Sequence, residues 1–245
     1  MGIVTPIVIF PFFMLITLVV QMVGAEINEE KSTRSMEIII SNVPAKVHFF
    51  SKILAANLFV IIQCALLGLY SIIGMLLRGG KSLDSIQNID VISNVTSGMD
   101  ITGMINNLVG YIPLVLILMA VTLLGYSLLA GILASMTTNM EDFQQLQTPI
   151  FVVSLVGFYL AIMNTMFDGA IFIRVLSYVP FISAILSPSL LVTGVIGFKD
   201  IILSILLMVV VIYLLLKYGL KIYKEGILNY SSNKLWKKML KALKH

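Results

Sequence analysis

The sequence predicts an all-α fold: a polytopic membrane helix bundle with five full spans plus one short re-entrant or interfacial helical pair. Three observations predict it. Hydrophobic residues make up 59% of the 245 residues and charged residues only 11%, whereas soluble domains carry about 25% charged residues. Mean hydropathy is +1.03. The apolar residues also fall into runs of membrane-crossing length, about 20 residues each, near 3–24, 53–77, 107–135, 148–167 and 200–220.

The first run carries no ionisable side chain, and the second carries only Cys64 and Tyr70. Between them lies a charged segment, 25–52. A polar loop with Asp84, Asp90 and Asp100 follows the second run. The third run places Ser127, Gly131 and Ser135 at four-residue spacing. Small residues so spaced let helix backbones approach closely in lipid, inside the bundle or against a second subunit. The short loop 136–147 contains Glu141 and Asp142 and no Lys or Arg. After the fourth run, segment 170–197 is rich in Ser and broken by Pro180 and Pro188. Such a piece reads as re-entrant rather than as a sixth, kinked span. The last run leads into a basic tail, 221–245, with Ile222, Leu228, Leu235, Trp236, Leu240 and Leu243 among its lysines. It can lie on anionic lipid or be a solvated positive tail.

Lys and Arg give the orientation. Of sixteen, twelve lie in segment 25–52 and from Lys217 to the end of the chain, and four (Arg78, Lys81, Arg174, Lys199) lie on the other side. Five spans therefore put segment 25–52 and the tail in the cytoplasm, in a multi-pass protein of the cell membrane. The same map places Met1 outside with no signal to carry it there. That suggests a fragment, a missing upstream span, or a short tail that crosses unaided.

Several chemistries find no support. Cys64 has no partner for an intrachain disulfide. His48 and His245 stand far apart with no carboxylate or Cys cluster, so no metal site and no cofactor are expected. No nucleic-acid partner is expected either. Glu29-Glu30-Lys-Ser-Thr-Arg34 matches a pattern found in some intramembrane proteases, but those enzymes need later histidines in settings that this chain lacks. Gly79-Gly-Lys-Ser82 resembles the end of a phosphate loop, but the first glycine of that pattern is replaced by Met75 and no strand precedes it. Asn94-Val-Thr96 marks a surface loop. The spans hold Gln21, Asn57, Gln63 and Asn164 but no ionisable group near a midplane, which argues against a proton relay. The four amides read as interhelical hydrogen-bond partners, with contact to a transported substrate as the alternative.

The charged segment is the most distinctive stretch. Glu26, Glu29, Glu30, Lys31, Arg34 and Glu37 put six charges into twelve residues beside a span. On one helix Glu30 and Arg34 stand at i, i+4, and Arg34 and Glu37 at i, i+3, pairings that stabilise an exposed helix. Val43-Pro44 then breaks the helix. The segment reads as an emerging helix, a tight break and a return helix, with one apolar and one charged face. Such an elbow can dock in a cleft of a soluble partner and move two spans at once. The plainer reading is an ordinary charged inter-span loop.

Glu26-x-x-Glu-Glu-Lys-x-x-Arg-x-Met-Glu-Ile-Ile followed by Phe-Phe-Ser-Lys-Ile-Leu closely resembles the cytoplasmic loop of type-2 ABC exporter permeases, sodium-extrusion-like ones above all. Ser177–Ser183 and Lys221–Leu228 are similar to the same group. The resemblance implies a permease subunit without catalysis of its own. It would pair with a second permease subunit and with ATP-binding cassette ATPase subunits, and export an ion, a peptide or an amphipathic small molecule. Glu26, Glu29, Glu30, Lys31, Arg34 and Glu37 would form the coupling element, with Glu141 and Asp142 as a second one. Permeases of this group begin with a span and a large external domain that this chain lacks. The alternatives are a truncated, non-transporting remnant, the protease-like protein, or a self-sufficient channel or carrier.

Overall fold

Long apolar runs make long helices, and short polar breaks with proline or a capping side chain divide them. The computed structural model describes residues 4–77, 101–164, 171–192 and 194–229. The loop containing Gly79–Ser82 and Asn94, and the tail from residue 230 to His245, lie outside the described residues. The helices are α1 (Val4–Ser32), α2 (Ser35–Asn42), α3 (Ala45–Leu77), α4 (Ile101–Met136), α5 (Met140–Met163), α6 (Ile171–Leu176), α7 (Ser183–Val192) and α8 (Phe198–Leu214). A π turn (Leu215–Gly219) then leads into α9 (Leu220–Ile227).

Among the described residues five helical stretches are long and apolar enough to cross a membrane: Ile9–Ser32, Ala45–Tyr70, Pro113–Met136, Met140–Met163 and Phe198–Ile227. They extend past the apolar runs of the sequence at the elbow end. A helix need not stop where lipid does, because its backbone hydrogen bonds are internal.

α4 is the central helix. It packs against α1, α3, α5, α7, α8 and α9, while α3 and α8 turn most of their side chains outward. The small residues of α4 point into this packing. Ser127 Oγ receives a hydrogen bond from Asn57 Nδ2 of α3 at 2.9 Å. Gly131 lies so close to Phe49 of α3 that a Cβ there would stand 2.8 Å from the ring. The backbone of Ser135 accepts a bond from α1, described below.

No helix of span length lies between Met163 and Phe198 among the described residues. α6 instead descends along α8, where Ser204 Oγ donates to the Ser177 carbonyl at 3.0 Å. The chain turns at Phe181, which has φ +74°, and the Phe181 carbonyl accepts from Tyr126 of α4 at 3.0 Å. α7 then runs back along α5, where Ser189 Oγ donates to the Ala161 carbonyl at 2.8 Å. Ser154 of α5 donates to the Tyr126 hydroxyl at 2.8 Å, so α4, α5 and the turn are tied at one depth. Backbone that turns inside a bundle is tolerated where protein groups satisfy it.

The end opposite the elbow is closed by polar contacts. Gly197 N–H donates to Asp200 Oδ2 at 2.8 Å and caps α8. Arg174 pairs with the same carboxylate at 3.1 Å. Tyr178 also donates to it, and that bond, with burial adding to it, raises the Tyr178 phenol above its usual pKa.

Candidate functional site

The elbow differs from its sequence reading in one decisive way. The helix does not continue through Arg34. α1 ends at Ser32, and Arg34 adopts left-handed backbone, φ 57° and ψ 11°, before α2 starts. Glu30 and Arg34 therefore do not share a helix face, and the expected i, i+4 pairing is replaced by other partners. Left-handed backbone is costly for a residue with a Cβ. Arg34→Gly is expected to raise the melting temperature by about 1–2 °C, from roughly 0.5 kcal/mol of relieved strain. Arg34→Val is expected to lower it. Thermal unfolding of the detergent-solubilised protein reads both.

Past the second break, at Val43-Pro44, α3 returns into the bundle with His48 and Lys52 one turn apart. They meet Glu26 and Glu30, one turn apart on α1. Lys52 Nζ lies 2.7 Å from Glu30 Oε1 and 3.4 Å from Glu26 Oε2. His48 Nε2 lies 2.8 Å from Glu30 Oε2. His48 Nδ1 lies 2.8 Å from the hydroxyl of Tyr223 on α9. His48 and Tyr223 are buried, while Glu30 and Lys52 keep a little exposure. One connected network thus joins α1, α3 and α9. Both Glu30 oxygens are engaged, by Lys52 and by His48. No group of three or more metal-ligating side chains occurs among the described residues.

Lys31 was expected on the exposed charged face. It is fully buried instead. Its ammonium donates to three backbone carbonyls: Ser135 at 2.6 Å, Gly226 at 3.0 Å and Asn229 at 3.2 Å. Ser135 lies in the last turn of α4, and the other two lie at the end of α9. These are the ends where a helix presents unpaired carbonyls and the negative pole of its dipole. An ammonium there is well placed.

The second predicted segment lies at the same end. Thr137 Oγ1 donates to Asn28 Oδ1 of α1 at 2.9 Å. Asn139 caps α5 by accepting from the Asp142 backbone at 2.9 Å. Glu141 is exposed and Asp142 is half-buried.

The eight predicted residues therefore divide. Glu26, Glu30 and Lys31 bond within the bundle. Glu29, Arg34, Glu37 and Glu141 are exposed. Ile38 on α2, 70% exposed, and Val47 on α3, 55% exposed, lie among the charges of the elbow. A cavity of about 450 Å³ opens beside them, lined by Glu26, Glu29, Glu30, Thr33, Ser35 and Lys52. Sequence reasoning missed His48, Lys52 and Tyr223. The signal for the first two was present, as an acidic pair four residues apart before the elbow and a basic pair four apart after it.

An all-helical bundle with five helical stretches long and apolar enough to cross a membrane defines a multi-pass membrane protein. Residues 2–219 match the model of the ABC-2 family transporter proteins, and the chain belongs to that family, whose members are the membrane permeases of ABC transporters. It is also 31% identical over 243 residues to the uncharacterized protein YhaP of Bacillus subtilis (strain 168). That match takes in 97% of this chain and 54% of the relative, so the chain spans about half the relative's length. No solved structure matches.

Proposed function

We propose that the chain is the permease subunit of an ATP-driven exporter in the cell membrane, and that the tip of its 25–52 elbow docks on a separate ATP-binding cassette subunit. The elbow and the basic tail face the cytoplasm in this reading. A second permease subunit completes the assembly, and an ion, a peptide or an amphipathic small molecule leaves the cell. Family membership supports the transport reading. The observation that carries the docking is the exposed Ile38 beside Arg34 and Glu37. An exposed aliphatic side chain ringed by charges supplies the apolar centre and polar rim of a protein contact. Glu141 and Asp142 lie at the same end and supply a second contact. Glu26, Glu30 and Lys31 hold the elbow in shape.

Co-purification with ATP-binding cassette subunits of the same genome tests this. Ile38→Asp and Arg34→Glu are each expected to lower recovery of the ATPase at least tenfold, about 1.4 kcal/mol or more, with the yield of folded permease unchanged. Recovery equal to that of the unsubstituted chain in both variants removes the elbow as the docking element.

A further inference from the structure

Beside the packing of Met36, which is fully buried, the elbow reaches the bundle through two polar attachments of different character. The Glu26, Glu30 and Lys52 contacts join α1 to α3 and are partly open to solvent, and His48 extends them to Tyr223 on α9 through a buried bond. The Lys31 attachment joins α1 to α4 and α9 and is closed to solvent. We infer that Lys31 is the positioning residue through which a displacement of the elbow reaches the central helix and, beside the His48–Tyr223 bond, the last span. This inference rests on the docking reading above.

A buried ammonium has given up its hydration, which costs several kcal/mol unless protein groups replace the water. Here three carbonyls replace it through charge-assisted bonds. Drawing any one of these carbonyls away weakens a charge-assisted bond inside a buried site. Slack between α1 and the two helix ends is therefore disfavoured, and the three move together or the cluster opens as a whole.

The two ends that Lys31 holds are themselves in backbone contact. A Cβ added at Gly226 would stand 2.9 Å from the Ser135 carbonyl oxygen and 2.7 Å from Met136 Sδ. One added at Gly219 would stand 2.2 Å from Ile132 Cδ1. α4 and α9 therefore approach as closely as they do because glycine faces α4 at both places. Above α9 the last span contains the π turn Leu215–Gly219, an irregularity that helices use to absorb local rearrangement. A pull at Lys31 acts on α9 below this joint and on α4, which packs against most of the bundle.

The test is spin-label distance measurement on the complex with its ATPase, in a Cys64→Ser background. The reference label sits at Lys199→Cys, exposed at the opposite end. One partner label sits on the elbow, at Ser41→Cys, and the other just past α9, at Leu228→Cys; both positions are exposed. Without further substitution, trapping with ATP and vanadate is expected to shift both distances. With Lys31→Met the elbow shift is expected to persist and the Leu228 shift to fall by about half, the His48–Tyr223 bond carrying the rest. Gly226→Ala, which parts the two helix ends without altering the lysine, is expected to act in the same direction, and it decides the matter if Lys31→Met is not recovered folded. A full Leu228 shift in the deciding variant overturns the inference and leaves Lys31 as a helix cap only. Absence of both shifts in the unsubstituted complex overturns the docking reading, and this inference with it.

Discussion

Glu30→Lys is expected to prevent recovery of the folded chain, or to lower its stability by about 3 kcal/mol. In the native structure the two oxygens of this carboxylate are divided between Lys52 at 2.7 Å and His48 at 2.8 Å. Replacing it by an ammonium puts two lysine cations and an imidazole together, with Glu26 as the remaining acid of the network. His48 has almost no exposure, so water cannot take over for the lost partner. Removing Glu30 leaves His48 desolvated without its partner, whereas Lys52 and Glu26, which are partly open to water, keep part of their hydration. The exposed Arg34→Glu change, one turn further on, is expected to shift stability by no more than about 0.5 kcal/mol. Exchange of charges in Glu30→Lys/Lys52→Glu restores an opposite pair and is expected to recover part of the loss, a coupling that a double-mutant cycle measures. Thermal unfolding in detergent reads all three. An unshifted melting temperature for Glu30→Lys refutes the network. The same prediction separates holding the elbow from docking it: a loss of ATPase recovery in Glu30→Lys reports a damaged elbow, whereas a loss in Ile38→Asp reports the contact.

The five spans are legible in the sequence because lipid imposes a simple rule on composition. A run such as Ile53–Leu77, with no charge in it, has few other uses. The pair α6 and α7 is legible through Pro180, Pro188 and their serines. What the sequence does not show is how far helices continue beyond the apolar runs. α1 persists to Ser32 through Glu26, Glu29 and Glu30, since acidic residues are good helix formers once a helix exists. The elbow is legible as a concentration of charge, but the fate of each charge is not. Lys31 reads as one more solvated residue because its partners, 104 to 198 residues away, are backbone carbonyls. Carbonyls are present at every position and leave no mark in the sequence. His48 reads as isolated for a related reason: its partners Glu30 and Tyr223 are brought to it by two different helices. The break at Arg34 is illegible because arginine has no preference for left-handed backbone.

Gly24→Val is expected to destabilise the protein by about 1–3 kcal/mol, a loss that falls on the joint between α1 and α5. A Cβ at Gly24 would stand 2.0 Å from Cε1 and 2.1 Å from Cζ of Phe143. Phe143 is fully buried in the first turn of α5, so its ring has no open space to swing into. The helix start must move instead, and Glu141 and Asp142 move with it. Gly24→Ala tests the contact with the smallest possible intrusion and is expected to cost less in the same direction. Phe143→Ala alone leaves a cavity and is expected to cost about 3–5 kcal/mol. In the double variant the added valine fills part of that cavity, so the two losses are expected to sum to less than their separate values. Additive losses, or a melting temperature that Gly24→Ala leaves unchanged, contradict the close approach of the two helices. Because Asn28 bonds Thr137 just beyond this contact, a shift at Gly24 should also loosen the loop that carries Glu141. Amide exchange across residues 136–142 is therefore expected to quicken in Gly24→Val while exchange around Tyr126 and Ser154 stays slow.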